Sequence, residues 1–224
     1  MTRRSLPREP AADAARLSEG LVVDAALALI AERGLPGLSM RALGDALGVE
    51  AMSLYHWFPA KERLLDAIAD RLIRQVALPP TPAAGRWRAW MTTVARGYRR
   101  MGLDHPRAFP LVGARRFLSP GAVDFLRAVI AANIAAGFEV RQSVRLTRSV
   151  GAFVNGIVLT EVSPPGELVP RRDAATPSRL SEPVWEEVLG YVRQPALDGA
   201  FDYGLQCLLD GALMRLSGRS SRRE

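Results

Sequence analysis

Cysteine is almost absent from this chain: Cys207 is the only one among 224 residues. A lone thiol cannot close an internal disulfide, so the core alone must hold the fold, and a reducing cytoplasmic setting is expected. Histidine is nearly as scarce, with only His56 and His105. No cluster has the spacing of a zinc or other metal site, so neither a metal nor another cofactor is expected. Lys61 is the single lysine among 30 basic residues, an arginine bias that a GC-rich genome explains. No apolar run approaches the ~20 residues of a membrane span, so no membrane partner is expected. The first 19 residues are rich in Arg and Ala and lack the apolar stretch of a secretory signal. No run of alternating β-branched residues marks a strand. A nucleophile elbow, a phosphate-binding glycine loop and an acidic dyad are all missing, which argues against an enzyme.

What is present is charge, unevenly spread, and helical periodicity. The net charge is +7, yet residues 1–78 carry equal numbers of acidic and basic side chains. Residues 79–148 carry 12 basic and 3 acidic side chains, and the remainder is slightly acidic. Val22, Ala26, Leu29 and Ile30 share one helical face, with Ser18 as N-cap and Gly34 as stop. A short helix over 40–47 follows, capped by Ser39, then another over 51–57 that Pro59 ends. Leu65, Ile68, Leu72 and Val76 mark the face of a longer helix. Three prolines between Leu78 and Gly85 read as a linker. Beyond it, Trp87, Met91, Val94, Tyr98 and Met101 form a stripe, and helices are predicted over 122–136, 143–162 and 197–216. The proline-rich stretch 163–181 is predicted to be a loop and 183–191 a short helix. The fold class is therefore all-α: a basic arm over 1–17, a three-helix domain over 18–77, a helical body over 85–216 and a basic tail over 217–224.

The informative segment is GLSMRALGDALGVEAMSLYHWFPAKERLL, from Gly37 to Leu65. Two short helices meet at Gly48, where a left-handed backbone ends one helix and turns into the next. Leu43 and Leu47 can pack on Leu54. This is the physics of a helix-turn-helix, whose second helix enters the DNA major groove. Together with VVDAALALIAERG one helix earlier, the segment resembles the tetracycline-repressor-like (TetR) regulators. VGAFVNGIVL and FDYGLQCLLDGAL resemble the long dimerisation helices of its tetracycline-sensing branch. One departure is Ala60, where the family commonly has an N-capping serine.

The resemblance implies a ligand-responsive regulator, a repressor or an activator, that binds palindromic double-stranded operator DNA as a homodimer. It places Ser39 and Arg41 on phosphates and Ala51, Met52 and Ser53 at base edges. Tyr55, His56 and Trp57 finish the recognition helix, and Tyr55 and Lys61 act as backbone clamps. Tyr55 and Trp57 also admit a reading as core. Arg3, Arg4 and Arg8 admit both a DNA contact and a solvated tail. Ala51 and Met52 can read only a thymine methyl or a groove shape.

The same resemblance implies an effector held by the C-terminal bundle. Candidates to line it are Trp87, Trp90, Met91, Val94, Tyr98, Phe109, Phe117, Phe125, Ile130, Phe153 and Asn155, each of which also reads as ordinary core. Arg115 and Arg116, flanked by apolar residues, favour an effector with an acidic group beside an apolar body. A neutral or cationic drug, met by aromatic faces and Glu161, is the competing expectation. Ala152 stands where tetracycline-sensing members place a histidine, which argues against a metal–tetracycline chelate. The dimer interface is expected along Gly151, Val154 and Val158 on one long helix. On the other it is expected along Gly204, Cys207, Leu208 and Gly211, with Cys207 a buried small hydrophobe. A helical small-molecule binder without DNA function is the alternative from another class.

Overall fold

The structure, a computed structural model, describes residues 17–83, 85–115, 119–162, 183, 184, 187, 190 and 198–220. Every regular element among them is helical. In chain order they are α1 (Glu19–Arg33), a 3-10 turn (Leu35–Gly37), α2 (Met40–Leu47), α3 (Ala51–Trp57) and α4 (Lys61–Ile73). Then come α5 (Trp87–Asp104), α6 (Phe109–Arg115), α7 (Pro120–Ala135), α8 (Val140–Val162) and α9 (Asp198–Ser220). Phe117, Arg116, the arm, the predicted 163–181 loop and most of the predicted 183–191 helix lie outside the described residues. Among the described residues no single helix is long and apolar enough to cross a membrane.

Local chemistry sets the early helix ends. Ser18 and Ser39 cap α1 and α2, their hydroxyl oxygens accepting from the N–H of Leu21 at 3.2 Å and of Ala42 at 3.1 Å. Gly34 and Gly48 stop the same helices, Gly48 in the left-handed region at φ 69°. The α4 face differs from the predicted one. Leu64, at i−4 from Ile68, is fully buried with Ile68 and Leu72, whereas Leu65 is half-buried.

The chain forms two compact units. The first contains residues up to Gln75 and, returning, His105–Asp124. Its core joins Val22, Ile30, Leu43, Leu54, Leu64 and Phe109, all fully buried. The second contains Val76–Asp104 and the chain from Phe125 onward. Its core is the Trp87–Met101 stripe of α5 against Val150, Val154 and Val158 of α8 and Phe201, Leu205 and Leu209 of α9.

This grouping differs from the expected body over 85–216 in placing residues 105–124 with the first unit. Helix α6 packs on α4, and polar ties reinforce it. Arg107 donates to the carbonyls of Ala31 at 3.0 Å and Glu32 at 2.5 Å. Arg115 pairs with Asp66 and donates to the Glu62 carbonyl at 3.3 Å. Asp70 accepts the Gly121 N–H at 2.5 Å. Composition could not show this return, because Phe109, Leu111 and Val112 are as apolar as any core segment.

Candidate nucleic-acid interface

Helices α2 and α3 meet through backbone. The N–H of Val49 donates to the Gly44 carbonyl at 3.0 Å. A Cβ on Gly44 would lie 2.8 Å from the Val49 oxygen and 3.1 Å from the Ala51 nitrogen. Only a glycine lets the two helices approach so closely at that point. Leu54 is the inward anchor of α3 and is fully buried. Around it the helix is open: Met52, Ser53, Tyr55, His56 and Trp57 are exposed and Ala51 is half-buried.

The six residues expected on α3 therefore share a short helix that offers most of its circumference to solvent. Tyr55 and Trp57, 40% and 37% exposed, are surface side chains and not core. His56 and Trp57 touch edge to face, with ring centroids 5.5 Å apart. Ser39 and Arg41 stand exposed at the start of α2.

Lys61 holds a second position. Its Nζ donates to the Leu38 carbonyl at 2.6 Å. Ala60 gives α4 no side-chain cap, and this bond instead ties the start of α4 to the residue preceding the Ser39 cap. The ammonium keeps two further protons for another acceptor. Sequence reading missed this bond because its partners are 23 residues apart.

The first unit also holds an open groove of about 570 Å³ between α1, the end of α3 and α4. Glu19, Arg63, Asp66, Asp70, Arg71 and Arg74 line it, and none of the effector candidates does. Asp70 stands out within it. Partial burial raises its pKa, but bonds from Arg74, the Gly121 N–H and Ser119 outweigh that, so its carboxyl sits below the ordinary 3.8.

Of the effector candidates, the structure gathers Trp87, Trp90, Met91, Val94, Tyr98, Phe125, Ile130, Phe153 and Asn155 in the second unit. Phe109 and Arg115 belong to the first, where Phe109 is fully buried core. Arg115 is committed to Asp66 there. The acidic-effector expectation thereby loses the described arginine it rested on.

The polar groups of the second unit are internally engaged. The Tyr98 hydroxyl donates to Asn155 Oδ1 at 3.1 Å, and Asn155 Nδ2 donates to the Gly151 carbonyl at 2.7 Å. Trp87 Nε1 donates to Asn133 Oδ1 at 2.8 Å. Arg99 pairs with the buried Glu161 and lies 4.9 Å over the Phe201 ring. Arg88 and Arg96 pair with Asp210 at 2.7 Å and Asp202 at 3.0 Å. The basic middle of the chain thus neutralises carboxylates from its acidic end. Part of the basic excess of residues 79–148 is met by carboxylates of the same chain. Among the described residues no group of His, Cys, Asp and Glu could hold a metal ion.

The expected dimer stripes need correction. Val154 and Val158, 2% and 0% exposed, pack inside their own chain. Gly204 also faces inward: a Cβ there would lie 2.6 Å from two atoms of the Phe153 ring. Cys207 is exposed in the single chain, where an interface residue can be. Leu208 is half-buried, and Gly151 and Gly211 face open space. The exposed large apolar side chains are instead Tyr203 and Met214 on α9, at 74% and 75%, and Val140, Val144 and Leu159 on α8, at 64%, 39% and 39%. Tyr203, Cys207, Asp210 and Met214 recur at spacings of three and four, so they form one stripe of α9. That spacing was present in the sequence, but the small-residue stripe was equally regular.

Comparison with known proteins adds independent findings. Residues 22–68 match the family of bacterial regulatory proteins, tetR family. Residues 79–216 match the tetracyclin repressor-like C-terminal domain. The HTH-type transcriptional repressor DrrR1 of Streptomyces coeruleorubidus is 30% identical over 204 residues, covering 85% of this chain and 75% of that one. The structure of ActR from Streptomyces coelicolor with actinorhodin is similar with a TM-score of 0.76 at 25% identity, covering 89% of this chain and 98% of that one. The structure of BioQ with its double-stranded DNA operator gives a TM-score of 0.65 at 27% identity, covering 88% and 98%.

Proposed function

This chain belongs to the TetR family of bacterial regulatory proteins, and we propose that it represses transcription as a symmetric dimer released from its operator by a small molecule. The observation that carries the reading is α3. It is anchored by the buried Leu54 and otherwise turned to solvent, as a helix that must enter a major groove has to be. In a two-fold dimer, two such helices meet palindromic half-sites about 34–36 Å apart.

Ser39, Arg41 and Lys61 serve the phosphates, while Ala51, Met52 and Ser53 face base edges and Tyr55, His56 and Trp57 complete the surface. Lys61 does this with its ammonium already positioned by one bond, Nζ to the Leu38 carbonyl, and two protons left for a phosphate. The dimer forms through the exposed stripe of Tyr203, Cys207 and Met214 on α9 with Leu159 on α8. The effector has an apolar, aromatic-compatible body and binds within the second unit, near Tyr98 and Asn155. That ActR was solved with actinorhodin supports an aromatic ligand of this kind.

A gel shift with the DNA upstream of the gene, or with duplexes selected from a random library, tests the reading. A complex of one dimer per palindrome is the expected result. Arg41→Ala should weaken binding to all sequences alike and reduce the slope of log affinity against log salt by about 0.9, one phosphate contact. An unchanged slope would remove Arg41 from the interface. Failure of every duplex to shift would overturn the DNA function.

A further inference from the structure

Met52 is the most exposed large apolar side chain among the described residues of the first unit, at 73%. Exposing a methionine on a helix whose packing is already served by Leu54 contributes nothing to the core. The first turn of α3 around it is poor in hydrogen-bonding groups. Ala51 has none, Met52 has only a weakly accepting thioether, and Ser53 has a short hydroxyl. Glu50, the N-cap residue, is exposed and makes no side-chain capping bond. Its carboxylate repels phosphates and cannot donate to the N7 or O6 of guanine. This end of the helix is thus ill-suited to the DNA backbone and lacks the Arg, Lys, Asn or Gln that read purines by paired hydrogen bonds. What remains on a base edge for a long, flexible, apolar side chain is the C5-methyl of thymine.

We infer that Met52 is a specificity-determining residue that recognises a thymine methyl in each operator half-site, so that this position is read by apolar contact and not by hydrogen bonding. The inference rests on the DNA-binding reading above. Burying one methyl against the thioether contributes about 0.8 kcal/mol, roughly fourfold in affinity per half-site.

The test uses the full chain and a palindromic duplex selected from a random library. Each thymine of the half-site is replaced in turn by deoxyuridine, which removes only the methyl. At one thymine, placed symmetrically in both half-sites, the wild type should bind about fourfold more weakly per substitution. Met52→Ala should bind thymine and deoxyuridine duplexes equally, while Met52→Leu should retain the discrimination. Because Met52 is solvent-exposed, both variants should keep the wild-type melting temperature. If no duplex is selected at all, the DNA-binding reading itself fails. If duplexes are selected but no deoxyuridine weakens binding, the inference alone fails. It also fails if Met52→Ala remains as sensitive to the lost methyl as the wild type.

Discussion

Replacing Gly204 by alanine puts two opposing effects on one helix. Inside an α-helix, Gly→Ala is intrinsically stabilising by about 1 kcal/mol, because alanine has less backbone freedom to lose. Against this, the new methyl would sit 2.6 Å from Cε2 and Cζ of Phe153. Overpacking of this kind costs about 1–3 kcal/mol. The half-buried ring stacks on the fully buried Phe201 with centroids 6.1 Å apart, so moving it has a cost. Swinging it away forfeits that contact, about 0.5–1.5 kcal/mol. The expected net effect is a destabilisation of up to about 2 kcal/mol, which for a chain of this size lowers Tm by about 2–4 °C per kcal/mol. Phe153→Leu removes the two clashing atoms, so in that background Gly204→Ala should change sign and stabilise by about 1 kcal/mol. Urea unfolding followed by circular dichroism measures all four chains of the cycle. Protein concentration must be matched, because dimerisation makes apparent stability concentration-dependent. An equal effect of Gly204→Ala in both backgrounds would refute the contact with Phe153. A Gly204→Ala chain with unaltered unfolding at high concentration but a weakened dimer would return Gly204 to the intersubunit face.

Three further substitutions probe the two units. Asp70→Asn should destabilise by about 1 kcal/mol at neutral pH, since a charged acceptor is lost. The Asp70 pKa is depressed in the folded chain, so its stabilisation is complete above the ordinary 3.8 and lost as pH falls through the lower folded value. The stability gap between wild type and variant should accordingly be constant from pH 7 to about pH 5 and close below pH 4. A gap that closes near pH 6 would refute this. In the second unit, Asn133 is fully buried and accepts from Trp87, whereas the buried Ser143 Oγ has no partner. Asn133→Ala should cost about 1–3 kcal/mol by orphaning the indole N–H, while Ser143→Ala should be neutral or slightly stabilising. Equal losses in the two thermal melts would contradict the hydrogen-bond assignment.

The helix-turn-helix could be read from residues 37–65 because its determinants are local. Ser39 caps the N–H three residues on, and Gly48 adopts a left-handed turn that its own lack of a side chain permits. Leu54 lies one short helix from Leu43. Caps, turns and helix spacing depend on neighbours within a few residues, so the sequence by itself determined α1 to α3 and their limits, whereas the solvent exposure of Tyr55 and Trp57 was decided by the structure. Pairings across long separations were decided only by the tertiary structure. Lys61 meets a carbonyl 23 residues away, Arg115 meets Asp66 at 49, and Arg88 meets Asp210 at 122. The arginine pairings met part of the basic surplus with carboxylates of the same chain, and that of Arg115 ties α6 into the first unit. The faces of α8 and α9 belong to the same class. Both helices carry apolar residues on more than one side, so periodicity alone offers two equally regular stripes. Which stripe turns inward was settled by the neighbours available to fill it: Val154 and Val158 against the chain's own core, and Gly204 beneath the ring of Phe153.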